Sequence, residues 1–302
     1  MRVFVTGATG FIGSAIVRDL ILQGHQVLGL TRSEEGAQAL KAAGAQVHRG
    51  NLDEPETLRS GAAQSDGVIH CAFDHSAFRH QEISKFVEVC EKDRRAIEAL
   101  GAGLAGTNRP LVITSGTGMG SPGPGQLATE DFCDPNHMNP RKASEEAGHA
   151  VASRGGNVSV VRLPQVHDTK KQGLVTMIIP IAREKGVSAY VGEGLNRWSA
   201  AHVSDVAPLY RLALEKAEPG SRYHAVAEEG VTTREIAEVI AEGLKIPAVS
   251  LVPEKASEHF GLLGMFAGVD MPASSALTQA RLGWMPTGPT LLEDLRNMRY
   301  AA

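Results

Sequence analysis

Six short runs rich in β-branched residues (RVFVT, QVLGLT, AQVHR, GVIHCA, LVITS and VSVVRL) alternate with longer segments of helical period. A strand joined to a parallel neighbour needs a long crossover, and here each gap holds a helix-length segment. FIGSAIVRDLILQ, SEEGAQALKAA, EPETLRSGAA, FVEVCEKDRRAIEALGAGL and KASEEAGHAVAS are those segments. The alternation predicts right-handed βαβ units built on one parallel sheet. After about Leu163 the rhythm changes. LVTMIIPIAREKG, SDVAPLYRLALEK and TREIAEVIAEGL then read as helices, RYHAVA as a strand and VGEGLNRWSAAH as a loop.

The first strand runs straight into VFVTGATGFIGSAIVRDL, where Gly7, Gly10 and Gly13 close the strand and open the first helix. Gly7 permits a tight turn, Gly10 lets the backbone approach a pyrophosphate, and Gly13 lets helix pack on strand. Gly7, Thr9, Gly10, Phe11, Ile12 and Gly13 are thus the candidate cofactor cradle. The blander reading is a tight turn that binds nothing, and it leaves the agreement of strand, glycine spacing and helix unexplained. The expected fold is α/β, a Rossmann-type doubly wound parallel sheet with a smaller C-terminal substrate-binding region. Residues 1–168 form the nucleotide-binding domain, its sheet completed by about 200–227, and 169–199 with 228–302 form the substrate side.

At 302 residues with a net charge of -4, the chain carries no basic footprint for nucleic acid or an anionic membrane, so a small molecule is the expected partner. MRVFVTG breaks at Gly7 after a very short apolar run, so neither a secretory signal nor a membrane span is expected, and the expected location is the cytoplasm. Three cysteines, Cys71, Cys90 and Cys133, have no CxxC spacing. That pattern argues against disulfides and zinc, and no metal is expected.

The adenosine ribose should lie at the end of the second strand, where the sequence is LGLTRSEE. Thr31 stands where an acidic residue would accept from a ribose 2′-hydroxyl, and Arg32 and Ser33 come next. An arginine attracts a 2′-phosphate that an aspartate would repel, so NADP(H) is favoured while NAD(H) stays possible. The alternative for Arg32 is a solvated loop residue.

TGATGFIG, GNLDEPETL, DGVIHCAF, LVITSGTGMG, VVRLPQVH, AAHVSDVAPLYRLALE and LGWMPTGP together resemble the extended short-chain dehydrogenase/reductase superfamily, within its NAD-dependent epimerase/dehydratase group. The resemblance spans nearly the whole chain. It implies that Asn51 and Leu52 flank the adenine, with asparagine where the family usually has aspartate. It implies that Cys71, Ala72 and Phe73 line the pyrophosphate and ribose channel, Cys71 as a packing thiol rather than a redox group. Pro164 to His167 would pass the nicotinamide edge. The resemblance also implies a homodimer paired through a four-helix bundle, to which Phe86–Leu104 and the Lys142 helix would contribute.

The family's chemistry uses a serine or threonine at the end of the fifth strand and a YxxxK pair on the next helix. Ser115 matches the first, and Lys142 of HMNPRKASEEA matches the lysine. Met138 then falls on the tyrosine position, and a thioether carries no proton. Three readings stay open. Catalysis could be lost, leaving an NADP(H)-binding redox sensor. The acid could be replaced by Lys142 itself, His137, His75, His167, or a water held by Ser115 and Thr117. The reaction could need no such acid, as in reduction of an iminium or an activated alkene, with Met138 as an apolar wall and the loop TGMGSPGPGQLATEDFCDPNHMNP as part of the pocket's rim. Arg197 and Trp198 could hold an anion and a ring of the substrate; a Trp198 packed against the sheet is the alternative. The favoured reading is an NADPH-dependent reductase of a small apolar carbonyl, imine or activated alkene, in which Ser115 holds a substrate oxygen and Lys142 positions the ribose. Epimerase or dehydratase activity leans harder on the missing tyrosine.

Overall fold

The computed structural model describes residues 1–77, 82–123 and 125–300. Pro124, in the loop expected to rim the substrate pocket, lies outside them. The expected sheet is present: β1 (Arg2–Thr6), β2 (Gln26–Thr31), β3 (Gln46–Arg49), β4 (Gly67–His70), β5 (Pro110–Gly116), β6 (Asn157–Leu163) and β10 (Arg222–His224) are parallel in the order β3-β2-β1-β4-β5-β6-β10.

Alternation along β1 shows why this sheet is buried on both faces. Val3 and Val5 pack with α1 (Phe11–Leu22) through Ile16 and Leu20 and with Tyr210 and Leu214 of the Val203–Lys216 helix. α2 (Glu34–Ala42) places Leu40 in the same cluster. Phe4 points the other way, into Leu58, Ile97, Leu100, Ala147 and Val151. Those residues belong to α3 (Pro55–Ala63), α4 (Ile83–Gly103) and α5 (Ala143–Ser153), which form the far layer. Strand order reverses between β1 and β4, which opens a crevice beyond their C-terminal ends.

The C-terminal region has its own core around Trp198, Ile240, Phe260 and Leu291. Beside it, β8 (Ser188–Val191) and β12 (Ala248–Leu251) pair in parallel. Here the structure differs from the sequence reading. Arg197–His202 is a strand, β9, paired in parallel with β7 (Gln165–His167) and antiparallel with β11 (Glu228–Thr232). Trp198, Ser199, Ala200 and Ala201 are all buried, so neither period nor propensity marks the strand; tertiary packing makes it. Among the described residues, no helix is long and apolar enough to cross a membrane.

A buried ion pair ties α5 to the sheet. Arg162 of β6, wholly buried, grips the Glu145 carboxylate through Nε and Nη2, both at 2.8 Å. Its Nη1 donates to the carbonyls of Thr129 and Phe132 and faces Nε2 of His224 at 3.3 Å. On the other side of that ring, Nδ1 meets the Ser274 carbonyl at 2.8 Å and must donate to it, so Nε2 of the neutral ring accepts from Arg162. Burial first, and then the Arg162 charge, push His224 down to about 3. The folded state therefore favours the neutral ring. Its contribution is complete above the unfolded histidine value of about 6.5 and is lost as pH falls from there toward 3. Relative to His224→Gln, wild type should lose on the order of 3 kcal/mol of stability between pH 6.5 and 4, read from urea midpoints. Identical acid limbs in the two proteins would remove this assignment.

Candidate functional site at the crevice between β1 and β4

The glycine turn is built by close approach. Gly7 has φ +67°, and a Cβ there would lie 2.8 Å from the backbone nitrogen of Ala72. A Cβ on Gly13 would lie 2.0 Å from the Gly7 carbonyl oxygen. Thr9 and Gly10 are exposed at the tip, and Phe11 and Ile12 are half-buried behind it. Gly10 begins α1 with no side-chain cap and no acidic residue in the first turn. The N–H groups of Phe11, Ile12 and Gly13 thus precede any intrahelical acceptor, and such a cradle fits a pyrophosphate.

At the adenosine end, Thr31 is buried and Ser33 caps α2, its Oγ accepting from Gly36 at 3.0 Å. Arg32 is exposed and forms no hydrogen bond or ion pair among the described residues. Sequence reasoning missed Arg49, which closes β3 opposite Thr31, donates to the Ser33 carbonyl at 2.7 Å and pairs with Glu34. Its signal was the strand register, which is not visible in one segment alone.

Asn51 is folded into a local turn: its side-chain oxygen accepts from Asp53 N–H at 2.7 Å and its amide donates to Glu54. Leu52 packs half-buried on the inner core. Lys92 joins Asp53 and Asp74, each at 3.1 Å, and so ties together the loops after β3 and β4. Partial burial of Asp74 is outweighed by hydrogen bonds from Ser76 and by Lys92, which bring its carboxyl down to about 2. Cys71 donates to the Thr6 carbonyl at 3.1 Å, and burial pushes its thiol up to about 12, as expected of a packing residue.

The helix that should carry the chemistry is offset by one residue from the expected register. Met138 is 95% exposed and forms no wall of a pocket. Lys142 also turns away from the sheet, donating to the Pro135 carbonyl at 3.2 Å and facing Glu146 at 3.7 Å. Arg141 points inward instead. Its Nη1 reaches Asp93 at 2.5 Å and also Ser144, its Nη2 donates to the Thr114 carbonyl at 3.0 Å, and its guanidinium lies 4.0 Å over the Phe73 ring. Phe73 therefore serves as a platform for Arg141.

The reason for the offset is helical geometry. Glu145, four residues after Arg141, is drawn into the core by Arg162, whereas Glu146, four after Lys142, stays at the surface with Arg94 at 2.9 Å. His137, four residues before this base in sequence, lies in the segment ahead of the Asn139-capped turn and not on the helix itself. His137 is half-buried and its Nδ1 accepts from Asn139 N–H at 3.1 Å.

Asp93 holds this arrangement from below. It is 1% exposed and receives, besides Arg141, Ser144 Oγ at 2.6 Å and His70 Nε2 at 3.0 Å. Burial alone would raise its pKa; Arg141, then His70 and Ser144, outweigh it and keep the carboxylate ionised far below the usual range. Because a carboxylate only accepts, His70 Nε2 donates to it, and Nδ1 meets Thr6 Oγ1 at 2.7 Å. Thr6 and Ala72 lie beside the glycine turn, so one buried chain joins the cradle to Arg141. Asp93, His70 and Arg141 escaped sequence reasoning, because only the fold brings β4, α4 and the head of α5 together.

Ser115, next to last in β5, is buried and lies near the Glu145 carboxylate, which it helps hold ionised, though without a well-aligned hydrogen bond. Thr117 is buried too, with Oγ1 at 3.4 Å from Ser199 Oγ. Pro164 is half-buried where β6 gives way to β7. His167 has no exposure: Nδ1 sits 2.7 Å from Asp294 and the ring packs edge-on to His202. A proton donor must reach solvent or substrate, so this enclosed pair is structural. His75 is exposed and edges onto Phe73. Arg197 is held by both oxygens of Asp270, at 3.1 and 2.8 Å, and is not a free cation for a substrate anion. Trp198 is 2% exposed with its Nε1 donating to the Val269 carbonyl, so it is core rather than a substrate contact.

Comparison with known proteins agrees with this fold. The family model for the NAD dependent epimerase/dehydratase family matches residues 3–226. An uncharacterized protein of Schizosaccharomyces pombe is 50% identical over 301 residues, covering 99% of this chain and 100% of that protein. One of Saccharomyces cerevisiae is 42% identical over 300 residues, 98% of each. The solved structure of a dTDP-glucose 4,6-dehydratase from Streptomyces venezuelae, with NAD bound, shares the fold at a TM-score of 0.78 and 19% identity, covering 99% of this chain and 95% of that one. With its seven-stranded parallel sheet, its glycine cradle and a family match across most of its length, the chain belongs to the NAD-dependent epimerase/dehydratase family.

Proposed function

We propose that this protein is an NADPH-dependent oxidoreductase that reduces a small, rather apolar carbonyl, imine or activated alkene without a tyrosine acid. The observation that carries the reading is that Arg141, an inward cation held on the Thr114 carbonyl, is fixed at the strand end next to Ser115, whose buried hydroxyl lies near Glu145 without a well-aligned hydrogen bond. A substrate oxygen would give that hydroxyl the well-aligned hydrogen bond the fold does not. With its pyrophosphate at the cradle, NADPH would supply hydride. Ser115 would hold the substrate oxygen. A guanidinium stays protonated, so Arg141 would stabilise negative charge and position groups but donate no proton. We assign that proton to His137, whose imidazole can both give and accept one.

NADPH consumption should be followed across a panel of ketones, imines and activated alkenes. Arg141→Met and His137→Gln should each cut turnover about 100-fold or more, while Lys142→Met should leave it within about threefold. Loss with Lys142→Met alone would overturn the register. The second reading, a non-catalytic NADP(H) sensor, is favoured by the commitment of Arg141 to Asp93, Ser144 and Thr114. Tight NADPH binding with no consumption of any compound would support it over the enzyme.

The preference for NADP(H) rests on the unpaired Arg32 and on the absence of an acid at Thr31. Arg32→Ala should weaken NADPH binding about tenfold or more with NADH nearly unchanged, and an equal loss for both would remove the preference. A cytoplasmic homodimer belongs to the same proposal. Exposed Ile83 and Val87 on α4 support pairing through that helix, and light scattering that gives the monomer mass at working concentration would reject it.

A further inference from the structure

We propose that Lys171 is a cofactor-binding residue whose ammonium engages the pyrophosphate from the side opposite the glycine cradle. The proposal rests on dinucleotide binding at the crevice and adds a contact from outside the glycine turn. The Lys171 Nζ lies 5.9 Å from the centroid of the Phe11 ring, and Phe11 opens α1, where its own N–H is one of the unsatisfied donors. The lysine thus stands at the mouth of the cradle, although it is 160 residues away in sequence.

The turn that presents it is firmly built. The Asp168 carboxylate accepts from the N–H groups of Lys170 and Lys171 at 2.6 and 2.8 Å, and Asp168 N–H donates to the Lys171 carbonyl at 2.8 Å. Gln172, fully buried, donates from its amide to the Asp168 carbonyl at 2.9 Å, and it bridges to His167 at the end of β7. Anchored on both sides, Lys171 is offered outward as an exposed side chain with no ion pair among the described residues.

A pyrophosphate brings about two negative charges, and the first turn of α1, Phe11 to Ser14, offers three N–H groups but contains no basic residue of its own. The other cations around the crevice are engaged: Arg141 by Asp93, Lys92 by Asp53 and Asp74, and Arg49 by Glu34. Arg32 is free but lies at the adenosine end. Among the described residues Lys170 is also exposed and without an ion pair, but it is Lys171 that sits against Phe11 at the phosphate-facing end of α1, where a charge-assisted contact complements the helix dipole.

Binding of NADPH, NADH, ADP-ribose and adenosine 2′-monophosphate should be compared in wild type, Lys171→Met and Lys171→Arg. Lys171→Met should weaken the three diphosphate ligands about tenfold, leave adenosine 2′-monophosphate within twofold, and lessen the dependence of NADPH affinity on salt; Lys171→Arg should restore most of the loss. Unchanged affinity for the diphosphates, or equal weakening of all four ligands, overturns the role of Lys171. A wild type that binds no dinucleotide overturns the function proposed above and this contact with it, whereas loss confined to Lys171→Met leaves that function standing.

Discussion

A carboxylate with almost no solvent exposure must find its counter-charge inside the protein, and Asp93 finds it in Arg141. The rest of the crevice depends on that pairing. Arg141 can be gripped only if the head of α5 is rotated so that this residue, rather than its neighbour Lys142, faces the sheet. The same rotation sends Glu145 to Arg162 and leaves Glu146 to the surface. Two buried ion pairs one helical turn apart therefore fix the register of the helix. Removing one partner of either would strand a charge in the interior, a cost of about 3–5 kcal/mol.

The contrast between Arg141 and Lys142 also shows how an offset of one residue changes chemistry. A lysine at this place would be a flexible point charge able to give up a proton. The guanidinium is planar, permanently charged and already stacked on Phe73. It can orient and polarise. Proton movement, where the reaction needs it, falls to a different group.

The sheet was legible in the sequence because its central strands are buried on both faces and its glycine turn leaves a spacing that few other structures need. Val3, Phe4 and Val5 announce a central strand, and Gly7, Gly10 and Gly13 mark the turn from that strand into α1. β9 was not legible, since its small buried residues carry no periodic signal. The site was half legible. Ser115, Arg32 and the cradle lie where strand ends must place them. Arg141 was hidden beside a lysine that fits the family spacing better, and Asp93 and His70 come from separate elements whose meeting only the fold creates. Arg197 and Trp198 looked like ligand contacts because isolated arginine and tryptophan residues do; Asp270 and the Val269 carbonyl, both more than 70 residues away, claim them.

The three cysteines bear on how such a protein would respond to oxidants. Burial pushes the thiols of Cys71 and Cys90 up, to about 12 and about 11, and burial together with the Glu145 charge raises that of Cys133. Oxidants attack the thiolate, and at neutral pH almost none of these side chains is in that form. Sulfenic acids and mixed disulfides are therefore disfavoured at all three. Thiol chemistry is thus a poor route for oxidants into this protein, whereas the thioethers of exposed Met138 and Met285 stay open to them.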